Sequence, residues 1–437
     1  MLVNLWLRTQ HLLSTLRAWA FRGFLALLDQ GLISGSNFIV AIVLARWLSR
    51  PQYGAYALAF EVFLFISILY SSLILEPMSV FGPSVYKEDL RGYMRVLLRF
   101  HWVISVAIIV GVVGAAAVLR AFQPASSLPI ALIGVGGATP CLLLFWLARR
   151  GFYVLLMPQK AAWGACSYSL VMFAGLVIVY RLGRISPLAA FLMMAAGAIL
   201  TAPAMLLWFK RRLPPSTGPE IQAGEVLRKH WKYGYWALGS ATTIWFSAAV
   251  YYPLLGTFFG LAETAKFKAL MNLASPIGQA FVAVGLLSLP YASRSGHRSG
   301  PQRRRRLGWK LTSLYVAGTS AYWLVVLVLR NPIVHHLYGN KYPQVIALVP
   351  WLAVGSILRM AATSQTIVLR SMNRPDLVFA AYSAACIAAI IFGILAARSF
   401  GIAGAVSAWV LSSGVAFLVA MLVLQRQSAL SALDTAG

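Results

Sequence analysis

Apolar residues in this chain neither alternate nor keep to one helical stripe. They run for about 20 residues or more at a time, and short polar, basic segments separate the runs. The limits lie near 24–46, 55–80, 96–119, 128–147, 161–181, 188–209, 234–258, 265–290, 310–329, 345–370, 376–397 and 401–425. A hydrocarbon core about 30 Å thick needs about 20 apolar residues in a helix to cross it. Only helices and closed barrels satisfy their backbone there. Unbroken runs of this length are helices and not barrel strands. The pattern predicts an all-α, polytopic membrane protein with about 12 transmembrane helices. The fourth run is the weakest, because GVGGATP (134–140) interrupts it with Gly and Pro.

The polar segments give the chain an orientation. With the N-terminus inside, twelve crossings place about 26 Lys and Arg on the inner side and about 10 on the outer, with Arg359 in mid-span. An excess of that sign marks the cytoplasmic side. Both termini are therefore expected in the cytoplasm. Charged residues make up 11% of the chain, against about 25% in soluble domains. The net charge of +27 is spread over many short loops and builds no single basic domain, which argues against nucleic acid as a partner. Basic loops beside spans are suited to anionic membrane lipids. Residues 1–22 place Leu2, Leu5, Trp6, Leu12, Leu13, Leu16 and Trp19 at helical spacing among Arg8, Arg17 and Arg22. They read as an amphipathic interfacial helix, with no cleavable signal.

The longest polar connections are 210–233, which opens KRRLPPSTGPE, and 291–309, which contains RRRR (303–306). The first separates an N-lobe (23–209, six spans) from a C-lobe (234–425, six spans), with a cytoplasmic tail at 426–437. A faint internal echo relates RWLSRPQYGAYALAF (46–60) to TFFGLAETAKFKALM (257–271). Two six-span halves in parallel orientation would produce such an echo.

Ionisable residues inside spans are costly, so they are the first candidates for function. Three are carboxylates: Asp29 in the first span, Glu61 and Glu76 in the second. Helical rise places Asp29 and Glu76 at a similar depth near the inner boundary, with Glu61 about 22 Å further out. All three are candidates for ion coupling, set against a structural pairing with Arg or a backbone donor. Pro77 removes a helix hydrogen bond beside Glu76 and crowds the carbonyl of Leu73, so the second span should bend there. Arg359 stands near the middle of the tenth span. It must meet either a wet cavity holding an anionic substrate, which a guanidinium binds as a fork, or a carboxylate such as Asp29 or Glu76. Gln30, Ser34 and Asn37 share one face of the first span, as cavity lining or as interhelical hydrogen bonds. Cys141, Cys166 and Cys386 lie in apolar runs without metal-ligand or redox spacing and read as packing residues. No Walker A loop or HExxH motif is present, so neither a nucleotide nor a metal cofactor is expected.

The stretch 27–60 carries Leu44-Ala45-Arg46, Leu48, Pro51, Tyr53-Gly54 and Tyr56. It resembles the start of the bacterial O-antigen and exopolysaccharide flippases, of the superfamily that also holds multidrug and toxin extrusion transporters. LILEPMSVFGP (73–83) is similar to a subgroup of that family, and GIAGAVSAWVLSSG (401–414) resembles its last helix. Ser49-Arg50-Pro51 lacks the Gly usual there. The resemblance implies two six-helix lobes around a central cavity that alternates access between the two faces of the bacterial inner membrane. It implies a lipid-linked oligosaccharide on a polyprenyl diphosphate as substrate, and polysaccharide polymerase and assembly proteins as partners. Three other readings remain. A multidrug or organic-cation antiporter of the same superfamily would want carboxylates and no Arg in its cavity. An integral-membrane glycosyl transferase or polymerase would want a large extramembrane loop. A non-transporting scaffold for polysaccharide assembly is the third.

Overall fold

The computed structural model describes residues 27–215, 220–281, 301–372 and 374–433, with Leu25, Val284, Gly285 and Ser288. The expected interfacial helix at 1–22 lies outside the described residues. Among the described residues there is no strand. The first six helices are α1 (Leu27–Trp47), α2 (Arg50–Tyr70), α3 (Glu76–Phe81), α4 (Leu90–Phe122), α5 (Leu128–Val154) and α6 (Pro158–Arg181). Next come α7 (Pro187–Arg212), α8 (Ala223–Ala249), α9 (Tyr251–Phe259) and α10 (Leu261–Asn272). The last four are α11 (Pro301–Val328), α12 (Arg330–Tyr338), α13 (Val349–Ser371) and α14 (Pro375–Leu433).

Among the described residues, nine helical stretches are long and apolar enough to cross a membrane. The last, 52 residues within α14, holds the expected eleventh and twelfth spans, because Gly401 takes φ 57° and kinks the helix between them. The seventh expected span is broken between α8 and α9. The eighth begins at α10 and is interrupted after Asn272. Many large apolar side chains face outward, among them Val106, Leu170, Leu200, Val325 and Phe400. A surface of that kind needs lipid around it and not water.

Local sequence explains the helix ends. Ser49 caps α2: its hydroxyl accepts from the Gln52 N–H, and the Gln52 side chain accepts from the Ser49 N–H, a reciprocal capping box. Pro187 starts α7 after the Ser186 cap. The expected weakness at 134–140 is absent, since α5 runs straight through Pro140. Two of the glycines there, Gly134 and Gly136, serve close packing. A Cβ on Gly134 would lie 3.2 Å from Leu188, and one on Gly136 3.2 Å from Val113. Where a bend was expected at Pro77, a π-helical stretch, Ser71–Leu75, lies between α2 and α3.

Packing divides the chain into two units. One holds residues through Val40, Leu73–Val118 and Ile133–Lys232; the other holds Ala41–Ser72, Leu119–Leu132 and Tyr233 onward. The first unit is built on small-residue contacts. A Cβ on Gly164 would meet Met205 Sδ at 2.5 Å, and one on Gly197 would meet the Tyr168 carbonyl at 2.8 Å. Such residues let membrane helices approach closely. The Phe145 and Tyr168 rings stack at 4.8 Å in its core.

In the second unit, Phe281, Tyr315, Leu369, Tyr382, Ala416 and Leu424 share one core. The two echoing segments of the sequence pack on one another there. Gly54 is pressed so close to Leu261 that a Cβ would lie 1.8 Å from its carbonyl oxygen. The loop after α12 grips the α1–α2 corner of the same unit. Lys341 Nζ donates to the carbonyls of Arg46 (2.5 Å) and Leu48 (2.7 Å), and Arg50 donates to the Lys341 carbonyl at 2.6 Å. A cation on the last carbonyls of a helix is a stable cap.

Candidate functional site

In the first unit the charged groups gather around the first half of α1. Asp29, Ile33, Ser36 and Val40 are buried along one stripe of that helix, with Ser36 donating to Ser169 at 2.7 Å. Asp29 has no exposed surface. It accepts a fork from Arg149, Nη2 to Oδ2 at 2.5 Å and Nε to Oδ1 at 3.2 Å, and a third bond from the Tyr153 hydroxyl at 2.5 Å. Arg149 also lies over the Phe145 ring at 5.6 Å. Arg149 and Tyr153 are four residues apart on α5, so one helix face presents both donors. The adjacent Arg150 lies within electrostatic reach of both Asp29 and Glu76. Glu76 is exposed, in contrast to Asp29.

Arg149, Arg150 and Tyr153 were missed by sequence reasoning because the fourth span was expected to end at 147. The helix continues to Val154. The signal was available in the Arg-to-Tyr spacing of ARRGFY (148–153), which continues the helical period. Gln30, Ser34 and Asn37 lie one residue round from the buried stripe and are more accessible than it. Gln30 donates to the Ser34 hydroxyl at 3.2 Å. The structure thus separates two faces of α1: one carries the locked carboxylate, the other the neutral polar groups.

Close by, His230 of α8 settles the consequence of Pro77. A regular helix would send the residue-77 N–H to the Leu73 carbonyl, and proline has none. His230 Nδ1 donates to that carbonyl at 2.8 Å. Its Nε2 then accepts from the Tyr93 hydroxyl at 2.6 Å, so the two bonds together fix the tautomer.

In the second unit Glu61 is buried and paired with Lys268 of α10 at 3.3 Å. The Lys268 ammonium also lies 5.2 Å from the Phe60 ring centre and 5.4 Å from that of Tyr252. Nearby, Asn272 donates to the Tyr53 hydroxyl at 2.8 Å. Arg359, on α13, donates to the Ser247 hydroxyl at 2.9 Å and the Ile244 carbonyl at 3.2 Å, and lies 5.2 Å from the Tyr382 ring centre. Among the described residues no carboxylate pairs with it. Asp29, one of the two carboxylates the sequence offered as a partner for Arg359, is taken up by Arg149 and Tyr153. Among the described residues this half-buried guanidinium is thus held by neutral groups.

Among the described residues no group of His, Cys, Asp and Glu could hold a metal ion, and the three cysteines are unpaired.

The multi-pass helical fold is similar to that of solved MOP superfamily transporters. An inward-facing multidrug resistance MATE family transporter of that superfamily matches over 92% of this chain and 94% of its own, at 13% identity and TM-score 0.77. A MOP superfamily transporter from Pyrococcus furiosus, described as having a binding pocket of reverse polarity, matches over 94% and 95% at 14% identity and TM-score 0.64. The lipid II flippase MurJ, in an inward closed conformation, matches over 94% and 90% at 11% identity and TM-score 0.65. No protein-family model and no curated protein sequence matches the chain.

Proposed function

We propose that this protein is a flippase that carries a lipid-diphosphate-linked oligosaccharide from the inner to the outer leaflet of a bacterial inner membrane, for polysaccharide biosynthesis. The observation that carries this reading is Arg359: an intramembrane guanidinium fixed by Ser247 and Ile244 with no carboxylate among the described residues to neutralise it. A fixed cation at that depth repels organic cations and attracts an anion. A diphosphate offers it the bidentate acceptor that a guanidinium fits. Asp29, which has no exposed surface, is paired with Arg149, so it offers no free negative charge to a cationic drug. The fold accommodates both chemistries, since a MATE transporter and a lipid II flippase both share it. Transport then proceeds by alternating access, with Glu76 and Asp29 as the coupling carboxylates. Gln30, Ser34 and Asn37 provide neutral hydrogen bonds to the cargo. Both termini face the cytoplasm.

The test is translocation of a fluorescent polyprenyl diphosphate glycan in proteoliposomes, beside glycan export in a flippase-null strain. Arg359→Ala should abolish both at normal protein level, and Arg359→Lys, which keeps charge but loses the fork, should weaken them. Normal export by Arg359→Ala would end the proposal. Loss of resistance to a cationic drug with export intact would replace it by the antiporter reading.

A further inference from the structure

Helix α4 is less buried than its neighbours: only 11% of its most apolar stretch is buried. Two grooves flank it within the first unit. One, about 490 Å³, runs between α4 and α7 and is lined by Arg91, Arg95, Leu98, Trp102, Leu206 and Lys210, with other apolar residues. The other, about 360 Å³, lies on the α8 side and is lined by residues including Phe100, Val103, Ile104 and Trp231, with no Lys or Arg.

The basic groove has a head and a tail. Arg91, Arg95, Leu98 and Trp102 follow one another at helical spacing, so they form one stripe of α4. The stripe is cationic for its first turn and apolar afterwards. On α7 the order is reversed, with Leu206 before Lys210. The register of the two helices aligns these ends. A Cβ on Gly151 of α5 would lie 2.9 Å from Phe209 and 3.2 Å from Met94, so residues 94 and 209 share one level. Arg95 and Lys210, each the next residue, therefore stand at the same end of the groove. Among the described residues none of the three cations forms an ion pair. The neighbouring Lys160 and Arg212, by contrast, are both engaged on the Trp208 ring at 4.9 Å.

We infer that the groove between α4 and α7 binds one anionic glycerophospholipid of the surrounding bilayer. Arg91, Arg95 and Lys210 hold its phosphate, and Leu98, Trp102 and Leu206 pack against its acyl chains. Three unpaired cations over an apolar slot match a headgroup of net negative charge, and basic pockets between membrane helices select such lipids. The groove opens outward, with Trp102 58% exposed, which suits a lipid arriving laterally. The inference is independent of the cargo and goes beyond the flippase reading.

The cation-free groove supplies the internal control, because its Trp231 is 56% exposed. The full chain is reconstituted in nanodiscs of phosphatidylcholine doped with brominated phosphatidylglycerol or with brominated phosphatidylcholine, and tryptophan quenching is read. Trp102→Phe and Trp231→Phe variants assign the signal by difference. Trp102 should be quenched preferentially by the brominated phosphatidylglycerol, and Trp231 equally by both. Each cation replaced by Gln should weaken the preference about fivefold, the equivalent of about 1 kcal/mol per Lys or Arg. The single variant Arg95→Gln tests this where R91Q/R95Q/K210Q fails to reconstitute. Equal quenching of Trp102 by both lipids would overturn the inference, as would a preference that survives Arg95→Gln and the triple variant. So would loss of the Trp102 signal on adding one polyprenyl diphosphate per protein, which would make the groove a cargo site.

Discussion

A carboxylate with no exposed surface that accepts a guanidinium fork and a phenol is stable only while all three bonds are kept. Removing Arg149 as Arg149→Met would leave Asp29 charged and uncompensated, and breaking a buried pair from one side costs about 3–5 kcal/mol. We expect a large drop in thermal midpoint in detergent for Arg149→Met. Much of that loss should be restored in the Asp29→Asn/Arg149→Met double variant, which removes both charges. Tyr153→Phe removes one hydrogen bond to the charged group and should cost about 1.5–3 kcal/mol, measured the same way. If Asp29 also carries protons, Asp29→Asn should abolish translocation per folded protein, beyond any loss of protein level. Asp29 was legible in the sequence because a carboxylate inside an apolar run is conspicuous. Its partner was not, because charges just beyond a run are indistinguishable from loop residues until the helix is seen to continue. Glu61 was equally visible, but its pairing with Lys268 joins residues more than two hundred positions apart, which no local pattern encodes.

At the scale of elements, the second span depends on one departure from regular helix and on one close interhelical contact. The π-helical stretch at Ser71–Leu75 and the missing N–H of Pro77 leave the Leu73 carbonyl in need of a donor, and His230 supplies it. His230→Ala should strand that carbonyl and the Tyr93 hydroxyl, at about 1–3 kcal/mol for each unsatisfied group. The cost should shrink in a Pro77→Ala background, where the helix can serve its own carbonyl; hydrogen exchange of the 71–80 amides would report both effects. The close contact is at Gly54. With the Leu261 carbonyl 1.8 Å from where its Cβ would sit, Gly54→Ala must push α2 and α10 apart. It should lower stability more than the substitution Gly31→Ala, whose Cβ would meet nothing within 4 Å, in a side-by-side thermal comparison. A lost helix hydrogen bond at Pro77 could be anticipated from proline chemistry, although the π-helical stretch and the histidine donor could not. The sequence showed the Gly54 segment as half of an internal echo, without showing that the two halves touch.

For the whole molecule, the asymmetry of Lys and Arg sets an orientation that can be checked directly. In a cysteine-free background, a cysteine placed in 220–225 should be labelled only from the cytoplasmic face, and one placed at 335–340 only from outside intact cells. Labelling of both from the same face would refute twelve crossings with cytoplasmic termini. The packing units cut across single helices, with Val40/Ala41 inside α1 and Ser72/Leu73 inside the π-helical stretch. One end of each of the first two spans thus belongs to a different unit from the other.

The all-α class, the number of apolar runs and the place of most helices were determined by the sequence alone. Length and hydropathy are additive along a chain, and a bilayer leaves the backbone no other way to satisfy itself. The carboxylates and Arg359 were also identifiable there, because a charge in hydrocarbon is costly wherever its partner lies. Which partner each one meets was decided only by tertiary structure. Arg149 and Tyr153 reach Asp29, and Lys268 reaches Glu61, because of helix register and crossing, which depend on how glycines and aromatic side chains interlock between distant segments. Arg359 meets Ser247 and Ile244 and, among the described residues, no carboxylate, again because packing between distant segments sets its neighbours.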